Sequence, residues 1–212
     1  TDNSVNALWN GEYWKAIYAI KPGDDLNNFD KGIISSYEFS ENVKDTKNNN
    51  HATSYGPILT NDRFGNSDSA FKFDGIDDYI ETPLNLKSFG ITNEFTLSIW
   101  FKLSSTQIKR YMMIMEDGYD WATDSIYMAV KPSSNFLAVS IETDGTGFFG
   151  KDDIEVSNLD EAWNQIIYSY NGSKIDVYYN GKNVFTKDFS GNLISGDKNL
   201  HFGRRQIGRA HV

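Results

Sequence analysis

Apolar residues in this chain fall in short stretches of period two, and no segment keeps a helical apolar period for three turns. In Phe95-Thr-Leu-Ser-Ile-Trp-Phe-Lys102 the odd positions Phe95, Leu97, Ile99 and Phe101 share one face of a pleated strand. Thr96 and Ser98 take the other face, with Trp100 as its bulky exception. Ile166, Tyr168 and Tyr170 alternate before Asn171-Gly172, and Ile175, Val177 and Tyr179 alternate after it, which predicts a hairpin. Asn180-Gly181 predicts a second reversal into Val184–Phe189, completing a three-stranded meander. Further strands are expected at Ile33–Phe39, Ala70–Phe73, Tyr79–Glu81, Tyr111–Met115, Ser125–Val130, Phe136–Ile141 and Leu200–Phe202, and one helical turn at Ser157–Ala162. Many short strands without βαβ spacing favour an all-β fold of two packed antiparallel sheets.

Composition narrows the function more than the fold. With 20 basic against 29 acidic side chains the net charge is −9, so nucleic acid is not an expected partner. No run of about 18 apolar residues predicts membrane insertion. The absence of Cys removes disulfides, thiolate zinc sites and a cysteine nucleophile. His51, His201 and His211 are too scattered to form a metal set by themselves.

Two stretches carry a family pattern. One is Arg63-Phe-Gly-Asn-Ser-Asp-Ser-Ala-Phe-Lys-Phe-Asp-Gly-Ile-Asp-Asp-Tyr-Ile80 followed by Phe95–Phe101. The other runs from Trp163 through Tyr170-Asn-Gly172 and Ile175–Gly181 to Leu200-His-Phe-Gly-Arg204. Together they resemble the laminin-G-like, or concanavalin A-like lectin/glucanase, superfamily over roughly residues 32–204. The resemblance implies a two-sheet antiparallel jelly-roll sandwich of the concanavalin A-like type. The chain reads as three regions: residues 1–31, an aromatic patch and a polar turn stretch, as a linker or the tail of a preceding domain, 32–206 as the sandwich, which the resemblance implies lacks its closing strand, and 207–212 as a non-native tail. The last six residues, Ile207-Gly-Arg-Ala-His-Val212, back-translate to a sequence resembling a sequencing adapter. The chain also lacks an initiating Met, so a metagenomic fragment is expected.

Asp45, Asn48, Asp74, Asp77 and Asp78 offer the hard oxygen ligands that Ca²⁺ prefers, and the resemblance also implies a structural calcium at the sandwich edge. The same residues equally suit turns held by side-chain hydrogen bonds. A sugar site needs flat apolar surface and planar polar groups. Tyr119, Asp120, Trp121 and Asp124 supply both in one inter-strand segment, Phe148 adds an aromatic from a second, read as a loop, and Arg204 adds a donor. Glu142 and Asp144 do not complete the Glu-x-Asp-x-x-Glu pattern of the glucanases that share this superfamily, and no Gly-x-Ser-x-Gly elbow occurs, so the domain is not expected to be an enzyme.

These features predict a non-catalytic carbohydrate-binding accessory module of an exported or cell-surface protein, bacterial or phage-associated, that takes a glycan or polysaccharide and carries calcium structurally. A structural or protein-adhesion module in a surface or phage-tail protein, with a protein partner, stays open beside it.

Overall fold

The computed structural model describes residues 32–203, apart from 87, 104–111, 118–125, 132–133, 158, 160–161 and 195–197, with backbone alone for 112–117. Thirteen strands build it: β1 (Thr53–Tyr55), β2 (Ile58–Thr60), β3 (Ala70–Lys72), β4 (Tyr79–Glu81), β5 (Phe95–Lys102), β6 (Met112–Asp117), β7 (Ile126–Lys131), β8 (Phe136–Thr143), β9 (Gly147–Glu155), β10 (Trp163–Tyr170), β11 (Lys174–Tyr179), β12 (Lys182–Asp188) and β13 (His201–Phe202). A seven-stranded sheet in the order β1-β4-β13-β6-β7-β8-β9 packs on a four-stranded sheet, β12-β11-β10-β5, and β2-β3 form a separate hairpin. All pairings are antiparallel, and no α-helix occurs among the described residues. The arrangement is the jelly-roll sandwich that the alternating pattern predicts.

The alternation sets what lies between the sheets. Phe95 and Leu97 of β5, Ile166, Tyr168 and Tyr170 of β10, and Ile175, Val177 and Tyr179 of β11 are all buried in one cluster with Ile80, Ile126, Met128, Val139 and Ile141 from the larger sheet. Phe95 meets Tyr168 edge to face at 5.2 Å. The Tyr168 hydroxyl crosses the core and donates to the Ser140 carbonyl at 2.9 Å, so its one polar atom is satisfied by the opposite sheet's backbone. Burial raises its pKa well above the ordinary tyrosine value.

The meander forms as its turn residues predict. Asn171 Oδ1 accepts the backbone N–H of Ser173 at 3.1 Å and of Lys174 at 2.8 Å, while Gly172 sits at φ 83°. Asn180 and Gly181 take φ 48° and 79°, the paired left-handed positions of a tight hairpin turn. On one side the sandwich edges are tied by Phe149 of β9, whose ring stacks on Phe185 of β12 at 5.8 Å.

Three expectations change. Ile33–Phe39 is not a strand; only an isolated bridge, Tyr37 to Asp45, forms there. The segment Asp144–Phe149 is not a loop throughout, because β9 begins at Gly147 and Phe148 and Phe149 are strand residues on opposite faces. In β7 and β8 the one-sided alternation fails: Tyr127, Ala129 and Ala138, which point away from the main core, are also buried and form a second small cluster. Both faces of these central strands are withdrawn from solvent, which is why Ile126–Val130 and Phe136–Ile141 read as near-continuous apolar runs.

Candidate functional site

Register assembles a transverse row across the seven-stranded sheet from residues remote in sequence. Thr53 pairs with Glu81, Glu81 with His201, His201 with Glu116, Glu116 with Tyr127, Tyr127 with Ser140, and Ser140 with Gly150. Their neighbours Ile80, Phe202, Ile126 and Ile141 face the core, so period two places the row on the outer face. His201 is buried there. Its Nε2 lies 3.8 Å from Glu81 Oε2, and Asn199 Nδ2 donates to Glu81 Oε1 at 3.1 Å. Ser140 is fully buried and its hydroxyl meets no partner among the described residues.

At the β1 edge of this face Tyr55 stacks on Tyr79 with ring centroids 4.4 Å apart and planes 11° from parallel, and the Tyr79 ring lies 5.9 Å from His201. Tyr55 is 43% exposed, so one aromatic face of the stack meets solvent at the end of the row. The phenols are the flat amphipathic surface that a pyranose ring packs on, and the partly exposed Glu81 carboxylate beside them is a planar hydrogen-bonding group.

The turn leading into Tyr79 is acidic. Asp74, Asp77 and Asp78 bring one carboxylate oxygen each to within 4.8 Å of one another. The backbone builds this arrangement: Asp78 Oδ2 accepts the Asp74 N–H at 2.7 Å, and Asp74 Oδ1 accepts the Ile76 N–H at 2.7 Å. Gly56, at φ 91° directly after Tyr55, makes room for it, because a side chain there would put its first carbon 2.0 Å from Asp78 Oδ1. Tyrosine stack and acidic turn therefore meet at the Tyr55–Tyr79 end of the β1–β4 pair. Three like charges so close favour binding of a hard divalent cation, whose ligands these oxygens suit.

Asp45 and Asn48 do a different job. Asp45 is buried and stands outside the acidic cluster; its oxygens accept from Ser35 Oγ at 3.0 Å and from the N–H groups of Ser36 at 2.9 Å, Lys47 at 2.9 Å and Asn50 at 3.3 Å. Burial opposes its ionisation, but the backbone donors of Ser36 and Lys47 and the Ser35 hydroxyl outweigh that and hold its pKa below the ordinary aspartate value. Asn48 Nδ2 donates to the Ile34 carbonyl at 2.7 Å. Both residues build a turn.

Phe148 lies on β9 at the edge opposite Tyr55, 47% exposed, its ring against Gly150. Tyr119, Asp120, Trp121, Asp124 and Arg204 lie outside the described residues. The first four belong to the connection between β6 and β7, whose anchors Asp117 and Ile126 pair one step beyond Glu116 and Tyr127 of the row. Asp144 is a clasp: its Oδ1 accepts the Asn192 N–H at 2.7 Å and its Oδ2 accepts Asn192 Nδ2 at 3.2 Å. Sequence reasoning missed Tyr55, Tyr79, Glu81, His201 and Ser140 as a group because long-range register alone unites them.

Residues 74–211 match the model of the concanavalin A-like lectin/glucanases superfamily. No curated protein matches the chain in sequence. Among solved structures it is similar to the binding domain of botulinum neurotoxin serotype D (16% identity, TM-score 0.58, 80% of this chain and 43% of that one). It is similar also to the binding domain of Paraclostridial Mosquitocidal Protein 1 (13%, 0.57, 89% and 44%) and to a structure of botulinum neurotoxin type C, whose cell entry depends on interaction with two ganglioside molecules (15%, 0.57, 93% and 44%). The chain spans less than half the length of each.

Proposed function

The chain belongs to the concanavalin A-like lectin/glucanases superfamily, and from that premise we propose that it is a non-catalytic glycan-binding module of an exported or surface-associated bacterial protein. The observation that carries this reading is the solvent-facing Tyr55–Tyr79 stack at the end of the Glu81–His201 row. A sugar ring would pack on Tyr55, with its hydroxyls directed to Glu81, while Tyr119, Asp120, Trp121 and Asp124 between β6 and β7, Arg204 after β13, and Phe148 on β9 are further candidates for glycan contact. The toxin binding domains that share the fold, one of them tied to gangliosides in its description, support a glycan partner and an extracellular setting. Recognition here is an equilibrium, and repeats of the module would raise a weak single-site affinity by avidity.

Tyr55→Ala is expected to weaken glycan binding about tenfold, because loss of an aromatic face and its buried area is worth roughly 1.4 kcal/mol. Tyr55 lies on the surface, so the melting temperature should hold within about 3 °C. Titration calorimetry of wild type and variant with one bound glycan tests this, and unchanged affinity in the variant would remove Tyr55 from the site.

Calcium would sit on Asp74, Asp77 and Asp78, relieving their mutual repulsion and fixing the turn before Tyr79. Millimolar Ca²⁺ is expected to raise the melting temperature of the wild type, as binding to the native state alone must, and Asp77→Asn with Asp78→Asn should abolish the rise. A rise that survives in the double variant would place the ion elsewhere.

A further inference from the structure

On the other sheet, an arginine stands on two aromatic rings and makes no salt bridge among the described residues. Arg63 lies in the loop joining β2 to β3, and its guanidinium carbon is 4.4 Å from the Phe64 ring centroid and 4.2 Å over the Trp100 ring. Trp100 is the bulky residue on the outer face of β5 that the alternation leaves unexplained. Adjacent Asp62 attracts Arg63 through its charge but makes no salt-bridge contact with it among the described residues. Its Oδ1 accepts the N–H groups of Phe64 at 2.8 Å and Asn66 at 2.9 Å, and its Oδ2 accepts Asn66 Nδ2 at 3.0 Å. Arg63 has no salt bridge and donates no hydrogen bond to a described residue, whereas Lys131 and Lys174 are paired with Asp152 and Asp176. In a chain of net charge −9, a cation held between rings without a salt bridge is an unusual placement.

The surroundings point to a ligand group. The Trp100 indole Nε1 is buried and has no acceptor, leaving a second unmet donor beside the guanidinium. Phe64 is 56% exposed and offers a flat apolar face at the rim. Gln165, the register partner of Trp100, is held by donating from Nε2 to Ser98 Oγ at 3.1 Å. A guanidinium held over rings without a salt bridge keeps its donors for a ligand, and its planar fork is matched to a carboxylate.

We propose that Arg63, Phe64 and Trp100 form a second binding site, on the four-stranded sheet, for a carboxylate-bearing sugar. Arg63 takes the carboxylate through its fork, and Phe64 covers one face of the pyranose ring. That the carboxylate is carried by a sugar rests on the glycan reading above; that the group bound is a carboxylate rests on this cluster alone.

The test titrates the full chain with methyl glucuronide, its neutral methyl ester, acetate and inorganic phosphate, following backbone amide shifts. The expected result is a dissociation constant of about 1 mM for the glucuronide, a tenfold or greater loss for both the ester and acetate, and weakening by added salt. Arg63→Gln should abolish binding, and Arg63→Lys should lose most of it because a point charge cannot replace the fork. Trp100→Phe, which keeps a ring but removes the N–H, should lose about threefold to tenfold, the worth of one hydrogen bond. Tyr55→Ala should leave this site untouched, which separates its failure from failure of the first site. Equal binding of ester and acid, equal binding of phosphate, retention in Arg63→Gln with an unchanged melting temperature, or no binding at all would overturn the proposal.

Discussion

Asp45→Ala is expected to destabilise the domain by about 3 kcal/mol, enough to lower the melting temperature by roughly 6–12 °C. The carboxylate is almost completely buried and gathers donors from Ser35, Ser36, Lys47 and Asn50. Truncation leaves those donors without an acceptor in a place water does not reach, the costly half of the hydrogen-bond asymmetry. Asp45→Asn keeps one acceptor but turns an N–H₂ group toward donors, so it should fall between wild type and alanine. The depressed pKa adds a pH signature. A carboxylate whose folded pKa lies below its unfolded value contributes stability that is present above the unfolded pKa and is lost as pH falls through the folded one. Wild type should therefore lose stability below the ordinary aspartate range, and Asp45→Ala should show a smaller loss over the same window. Urea melts of both proteins from pH 7 downward check this; parallel curves would mean that Asp45 is not the linked group. The calcium response should persist in Asp45→Asn, since Asp45 is not among the clustered ligands.

Gly191→Ala should cost roughly 3 kcal/mol or more, because two separate penalties coincide there. Gly191 takes φ 119°, which side-chain-bearing residues rarely adopt, and an added carbon would lie 2.4 Å from the Gly145 nitrogen and 2.8 Å from its Cα. Those are backbone atoms, so no rotamer change relieves the clash. The contact closes the β8–β9 hairpin tip onto the turn after β12, where Asp144 clasps Asn192 and the Tyr170 hydroxyl donates to the Gly191 carbonyl at 2.6 Å. Pushing the turn away breaks that set together. Gly147→Ala is the control: it is also at positive φ, but open space surrounds it, so it should pay only the backbone penalty of about 1 kcal/mol. Equal losses in the two variants, read by denaturant titration, would show that packing at Gly191 contributes nothing.

Where a strand buries one face and exposes the other, its place is written in the sequence. Phe95–Lys102 and Tyr79–Glu81 form strands with the expected bounds, and Asn171-Gly172 and Asn180-Gly181 turn where their left-handed preference says. β9 was not legible, since Gly147-Phe-Phe-Gly-Lys-Asp-Asp-Ile-Glu155 is mostly exposed at a sheet edge and shows no apolar period. β1 and β2 are three-residue strands, too short for a pattern, and their pairing is decided by partners elsewhere. Ile33–Phe39 has a strand's composition, but the Asp45 turn organises it instead. The acidic triad was readable because its members are neighbours in the chain. The Tyr55–Tyr79–His201 group was not, because β13 slots between β4 and β6 and joins residues more than a hundred positions apart. Arg63 and Trp100 both lay inside the family pattern, yet their contact arises only when the β2–β3 loop folds over the outer face of β5.

A glycan array probed with the full chain and with Tyr55→Ala, each with and without calcium, decides whether the β1–β4 edge of the seven-stranded sheet binds a glycan through Tyr55. Reproducible binding of a glycan set by the wild type, loss of that set in Tyr55→Ala, and weakening on chelation are expected. A folded wild type that binds no glycan, or a Tyr55→Ala variant that keeps the whole set, would contradict it.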